Sequence, residues 1–166
     1  MRAAVLAVIF GCSSSTSPPL PGTLIDIRPL SISWQGKPIA RLHGDGSTES
    51  VGQHLPGSAM SAGPKLRADG RIILTKPGVT ARLAPSGEVL VTGRDGADHP
   101  FGTITNNTLV TGSRTIRVEG PLMFFDQPRG DDIGAIDDPV DDKTRHTALV
   151  MTAAFFIELG LSPSPE

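Results

Sequence analysis

Between Thr23 and Asp126 the chain is cut at short intervals by residue types that accept a positive φ, and this constrains the fold more than any other feature. Gly44-Asp45-Gly46, Asp69-Gly70, Pro77-Gly78, Ser86-Gly87, Asp95-Gly96 and Asn106-Asn107 are the turn signals. From Gly70 onward they recur every 8 to 11 residues. A βαβ crossover needs at least ~10–12 residues besides its strands, so this spacing favours consecutive hairpins. Between the turns the side chains alternate. Leu30, Ile32 and Trp34 share one face with Ser31 and Ser33 on the other, and Ile116 and Val118 alternate with Thr115, Arg117 and Glu119. The expectation over 23–126 is a β-rich domain: mainly β, an antiparallel hairpin-rich meander, small barrel or sandwich. Gly52 to Pro64, rich in Gly, Ser and Ala, is the least regular stretch and reads as loop.

A weak internal repeat runs through this region. Ala40-Arg41-Leu42, Gly46 and Gly52 recur as Ala81-Arg82-Leu83, Gly87 and Gly93 at a constant offset, and Leu66, Gly70 and Thr75 match Leu83, Gly87 and Thr92. One meaning is a β-solenoid or a repeated ligand site. The plainer meaning is that successive hairpins need the same turn residues, and it is the one adopted here.

After Asp126 the composition changes. Asp131, Asp132, Asp137, Asp138, Asp141 and Asp142 crowd into 127–143, read as an acidic loop, and 144–161 reads as one C-terminal apolar α-helix followed by a tail, 162–166. Asp141 or Asp142 can cap its first-turn amides, where carboxylates also favour the helix dipole. Gly160 and Pro163 provide the stop. Within the helix only Glu158 is charged past His146, so it has no clean polar face. Such a helix is either covered by its own sheet or offers surface to a partner protein or a bilayer. Fifteen residues from Thr147 to Leu161, with Glu158 among them, are too few and too charged to span a membrane.

The totals narrow the function classes. The chain has 166 residues and a formal net charge of −2, one domain's worth with no cationic excess for nucleic acid. One Trp, six Phe and no Tyr leave little flat surface for stacking sugars or bases.

The N-terminus carries the address. Arg2 is followed by an apolar run from Ala3 to Phe10, and Gly11 places a small residue before Cys12, the layout of an export signal over 1–11. Ile9-Phe10-Gly11-Cys12 resembles the lipobox of bacterial lipoproteins, with Ile9 where Leu is usual. The resemblance covers these dozen residues only. It implies lipid attachment at Cys12, cleavage before it, and a membrane-anchored, extracytoplasmic place in the bacterial cell envelope. Ser13 to Gly22, rich in Ser and Pro, then reads as a tether, making 12–22 the lipidated cysteine and its linker. Cys12 is the sole cysteine and has no disulfide partner within the chain.

Candidate chemistry is thin. The aspartates could hold calcium, but their spacing lacks the D-x-[DN]-x-[DN]-G frame. Ala59-Met60-Ser61-Ala62-Gly63 has the outline of a nucleophile elbow without its strand-to-helix setting. His43, His54, His99 and His146 form no H-x-H or H-E-x-x-H pair. Arg129-Gly130-Asp131 spells an adhesion tripeptide that three residues match by chance. No catalytic residue, cofactor or metal ligand is assigned. The sequence supports a lipid-anchored envelope protein acting as a non-enzymatic binding or structural module, with membrane contact through Cys12 and a possible protein partner through 144–161. The alternative is a small metal-dependent envelope hydrolase using the acidic loop.

Overall fold

The computed structural model describes residues 23–34, 36–51, 60–112, 114–126 and 132–160. The signal 1–11, Cys12 with its tether to residue 22, and the tail 162–166 lie outside the described residues. Among the described residues twelve strands close into one barrel, each antiparallel to both neighbours and following chain order around the wall. They are β1 Leu30–Trp34, β2 Lys37–Leu42, β3 Ser47–Val51, β4 Met60–Leu66, β5 Arg71–Ile73 and β6 Thr80–Leu83, then β7 Glu88–Thr92, β8 Asp98–Thr105, β9 Thr108–Thr111, β10 Arg114–Glu119, β11 Leu122–Phe125 and β12 Asp132–Ile136. The helix α1, Asp142–Glu158, follows. The hairpin-rich β expectation is met, in its barrel form, with one terminal helix.

Two stretches read as loop are corrected, the first being Gly52 to Pro64, of which 60–64 belongs to β4 and pairs with β3. The segment 127–143 is not all loop, because Asp132–Ile136 is the strand that closes the barrel, pairing Ile32 with Ile136 and Leu122 with Ala135. Its alternation was hidden because Gly134 occupies an inward position and Ile133 faces out at 49% exposure. The helix also begins two residues earlier than expected and ends before Leu159.

The wall is held by a bond that repeats from hairpin to hairpin. The turns β2–β3, β4–β5, β6–β7, β8–β9 and β10–β11 all lie at one mouth, here the proximal mouth. There the carbonyls of Gly46, Gly70, Gly87, Asn107 and Pro121 accept the backbone N–H of Leu66, Leu83, Ile104, Val118 and Ile136, at 2.7–2.8 Å. Each hairpin is thereby tied to the next. The donor residues are also the inward side chains, so a buried cross-strand pair stands at each junction. Leu66 faces Ile72, Leu83 faces Val89, Ile104 faces Leu109 and Val118 faces Met123, none more than 4% exposed. The repeat in the sequence is this device: a small residue, an outward residue, an inward aliphatic, then a turn with glycine. Its turns share a geometry. The amides of Gly46, Gly70, Gly87 and Gly96 bond back to His43, Arg67, Ala84 and Gly93, and the side chains of Asp45, Asp69, Ser86 and Asp95 accept the amide two residues on.

Eight strands already give a barrel whose side chains fill its interior, and diameter grows with strand number, so twelve leave a lumen that must be filled. The helix fills it. Ala148 to Met151, Ala153 and Ala154 are fully buried, and α1 touches β1, β4, β8, β9 and β10 around the wall. This explains the missing polar face. Small inward residues make the space: Ala40, Pro64, Ala81 and Gly134 lie one inward position beyond the aliphatic ring, and a Cβ on Gly63 would stand 2.6 Å from the Phe155 ring. The helix's buried hydroxyls are satisfied. Thr152 Oγ1 donates to the Ala148 carbonyl at 2.8 Å and Thr147 Oγ1 to the Asp26 carbonyl at 3.0 Å.

Two glycines separate steric fit from backbone strain. Gly46 has φ +84° and a Cβ there would sit 2.1 Å from the Leu66 carbonyl oxygen, whereas Gly96 has φ +74° with nothing within 4 Å. Gly96→Ala is expected to cost about 1–2 kcal/mol from the left-handed backbone alone. Gly46→Ala should cost a further ~1–3 kcal/mol by forcing the β2–β3 turn off β4, read as the difference in urea midpoints. Equal losses would mean that the turn-to-strand contact does not hold the wall.

Candidate functional site

The proximal mouth is where the chain gathers its polar groups. The segment Thr23–Pro29 runs across it as a strap. The amides of Leu24 and Ile25 bond to the Ala68 carbonyl at 2.7 and 3.2 Å, and Ile25 is fully buried. Arg28 pairs with Asp26 and, at 2.9 Å, with Asp141, while Lys143 stands 3.9 Å from Asp26. The strap, the helix start and the β4–β5 turn are thus one bonded unit.

The acidic residues serve this closure. Asp137 accepts from Ser33 Oγ and Asp138 from the Ser31 amide, both at 2.7 Å, and the Asp137 amide bonds the Ser31 carbonyl. Asp141 is the helix cap, accepting the Thr144 amide at 2.7 Å and its hydroxyl at 2.8 Å. Those two bonds, with Arg28 nearby, pull its carboxyl down to about 2. Asp142 pairs with Arg145. Asp131 lies outside the described residues. Among the described residues no group of three or more His, Cys, Asp or Glu is placed to hold a metal ion.

Beside the helix start a cleft of about 570 Å³ opens between the β6–β7 and β8–β9 turns. Its polar walls are Ser86, Thr105, Asn106, Asn107, Asp142 and His146. Asn106 reaches the cleft because it takes φ +52°, a conformation asparagine tolerates at a tight turn. Burial holds His146 below its ordinary value, so the imidazole is the neutral form near pH 7 and can both donate and accept a hydrogen bond. The guanidinium of Arg145 is turned to Asp142, and its Nε is buried without a partner among the described residues. Chemically the cleft offers amides, hydroxyls, one carboxylate and one neutral imidazole. It contains no nucleophile held by a base.

The other sequence candidates are dispersed. His43 stands 3.4 Å from Glu49 and His99 3.2 Å from Asp95, both on the surface, and His54 lies outside the described residues. Ser61 is in β4, with its hydroxyl 3.3 Å from the Ser50 carbonyl, far from any strand-to-helix turn. Residues 129–131 are not described, nor is Cys12. The apolar side chains of α1 face the lumen. The cleft escaped the sequence reading because its walls come from two hairpin tips and a helix that meet only when the barrel closes.

Two measurements test this end of the molecule. Asp141→Ala should cost about 1 kcal/mol by removing the cap. Because folding depresses the Asp141 pKa, its contribution is full above the ordinary carboxylate range and fades as pH falls toward 2. His146 has a dependence of the same sign in a higher pH window: its folded pKa is lowered, so the unfolded chain takes the proton more readily. Stability should be full above about pH 6.5 and decline as pH drops from there through the lowered value. Denaturant titrations at pH 7 and pH 5 should show that decline in the native chain and a smaller one in His146→Gln. An identical decline in both would show that His146 titrates as a solvated group.

Comparison with protein-family models, with curated proteins and with solved structures finds no match to this chain.

Proposed function

We propose that this chain is a lipid-anchored protein of the bacterial cell envelope whose barrel acts as a non-enzymatic binding or structural module. The observation that carries the reading is the filling of the lumen by α1, with Ala148 to Met151 fully buried. A barrel whose interior is its own core has no internal site to offer and meets other molecules through its mouth and outer wall. The polar cleft beside His146 is a concave part of that surface. The wall carries Arg41, Glu49, Lys65, Arg82, Arg117 and Glu119 at outward positions, where a membrane-spanning barrel needs an apolar band, so the domain rests beside a bilayer and not within it. Anchoring falls to Cys12, whose tether of Ser and Pro joins the strap at Thr23.

Among the described residues the metal-dependent hydrolase finds no support, because Asp137, Asp138 and Asp141 are each engaged in closing the proximal mouth.

Intact-mass analysis of the membrane fraction tests the reading. The expected species begins at Cys12 and carries a diacylglyceryl group on sulfur. Cys12→Ala should move the protein out of the membrane fraction without changing its melting temperature. A native chain that is water-soluble, begins at Met1 and bears a free thiol would overturn it.

A further inference from the structure

The net charge of −2 conceals a local feature of the outer wall. Arg67, just past the end of β4, stands in one row with Arg71 of β5 and Arg82 of β6: the Arg67 amide bonds the Arg71 carbonyl at 2.9 Å, and Arg71 is the register partner of Arg82. All three point outward, at 50%, 63% and 47% exposure. Like charges directly opposed on a sheet destabilise it, so an anion shared between them is favoured. The carboxylates nearby only partly answer this. Asp69 serves both Arg71, at 2.7 Å, and Arg67, at 3.8 Å, while Asp98 takes Arg82 and Asp45 takes Lys65. Such exposed pairs exchange partners easily, and a guanidinium keeps further N–H donors in a plane that matches a phosphate. Ile73, two residues beyond Arg71 on the same outward face and the register partner of Lys65, is 47% exposed and adds an apolar contact beside the row.

The place of this row gives it a partner. Leu24 bonds the Ala68 carbonyl, inside the Arg67–Arg71 turn, so the chain leading back to Cys12 joins the domain there. The eleven residues from Cys12 to Gly22 can span at most roughly 36–40 Å, so this quadrant stays within a tether's length of any lipid held by Cys12. We infer that the Arg67–Arg71–Arg82 row with Ile73 is a docking surface for the anionic phosphate headgroups of the membrane that holds the anchor. The inference rests on the lipid-anchor reading. It supplies the second signal that acyl chains use for firm attachment.

Vesicle co-sedimentation of the full chain, native and Cys12→Ala, is the test, using phosphatidylcholine alone or mixed with phosphatidylglycerol. The Cys12→Ala chain is expected to partition onto the phosphatidylglycerol vesicles and to be released by salt. Arg71→Gln/Arg82→Gln in that background should bind about five-fold more weakly for each arginine removed. Arg114→Gln, on β10, is the matched control and should bind as its parent does. Equal binding to both vesicle types, equal losses from both sets of variants, or full displacement by inorganic phosphate at matched ionic strength would each overturn the surface. The two readings fail separately: phosphatidylglycerol binding that survives when native and Cys12→Ala chains fractionate alike sinks the anchor and leaves the row. A native chain held in membranes whose Cys12→Ala form ignores phosphatidylglycerol sinks the row and leaves the anchor.

Discussion

A twelve-strand wall encloses more space than its inward side chains can fill, and the rest of the molecule follows from that deficit. Water in an apolar lumen would forfeit the burial that drives folding, so the chain supplies its own filler in α1. The filler must be apolar on every side, and Leu149, Val150 and Met151 are therefore buried together although they lie on different sides of the helix. Where helix and wall come closest, the wall gives up volume, as at Gly63 against Phe155. Wall and helix are one hydrophobic core.

Closing the wall around that core is a matter of register. The bond from each proximal turn to the next strand, Gly70 to Leu83 and Gly87 to Ile104 among them, sets the stagger between hairpins. The same residues that donate these bonds point into the lumen, so hydrogen bonding and side-chain layering enforce one register together. The last tie is made by the acids after β12: Asp137 and Asp138 bind β1, and Asp141 caps the helix and pairs with Arg28 of the strap. Three of the charges that look like a ligand cluster in the sequence, Asp137, Asp138 and Asp141, are engaged in fastening the helix into the barrel.

The same closure assembles the surfaces that the molecule presents. Ser86, Asn107 and His146 are far apart in the chain and meet at one cleft because the hairpin tips and the helix start share a mouth. Arg67, Arg71 and Arg82 form a row only through the registers of β4, β5 and β6. Neither grouping leaves a spacing signature in the sequence, whereas the aspartates of 127–143 stand out as a cluster, and of these Asp137, Asp138 and Asp141 have structural duties. The strand in that segment was missed for a related reason: Gly134 is inward because the helix needs the room, and an alternation with glycine inside and isoleucine outside reads as loop.

By itself the sequence determined the hairpins, since Gly46, Gly70, Gly87 and Gly96 can take a positive φ without penalty and the residues between them alternate. It also determined the terminal helix, its aspartate cap and its stop at Gly160, because these depend on neighbours along the chain. Only the tertiary structure decided that the sheet closes, that twelve strands take part and that the helix goes inside. Those outcomes depend on whether lumen volume and helix volume match, a sum over distant residues that no local pattern carries.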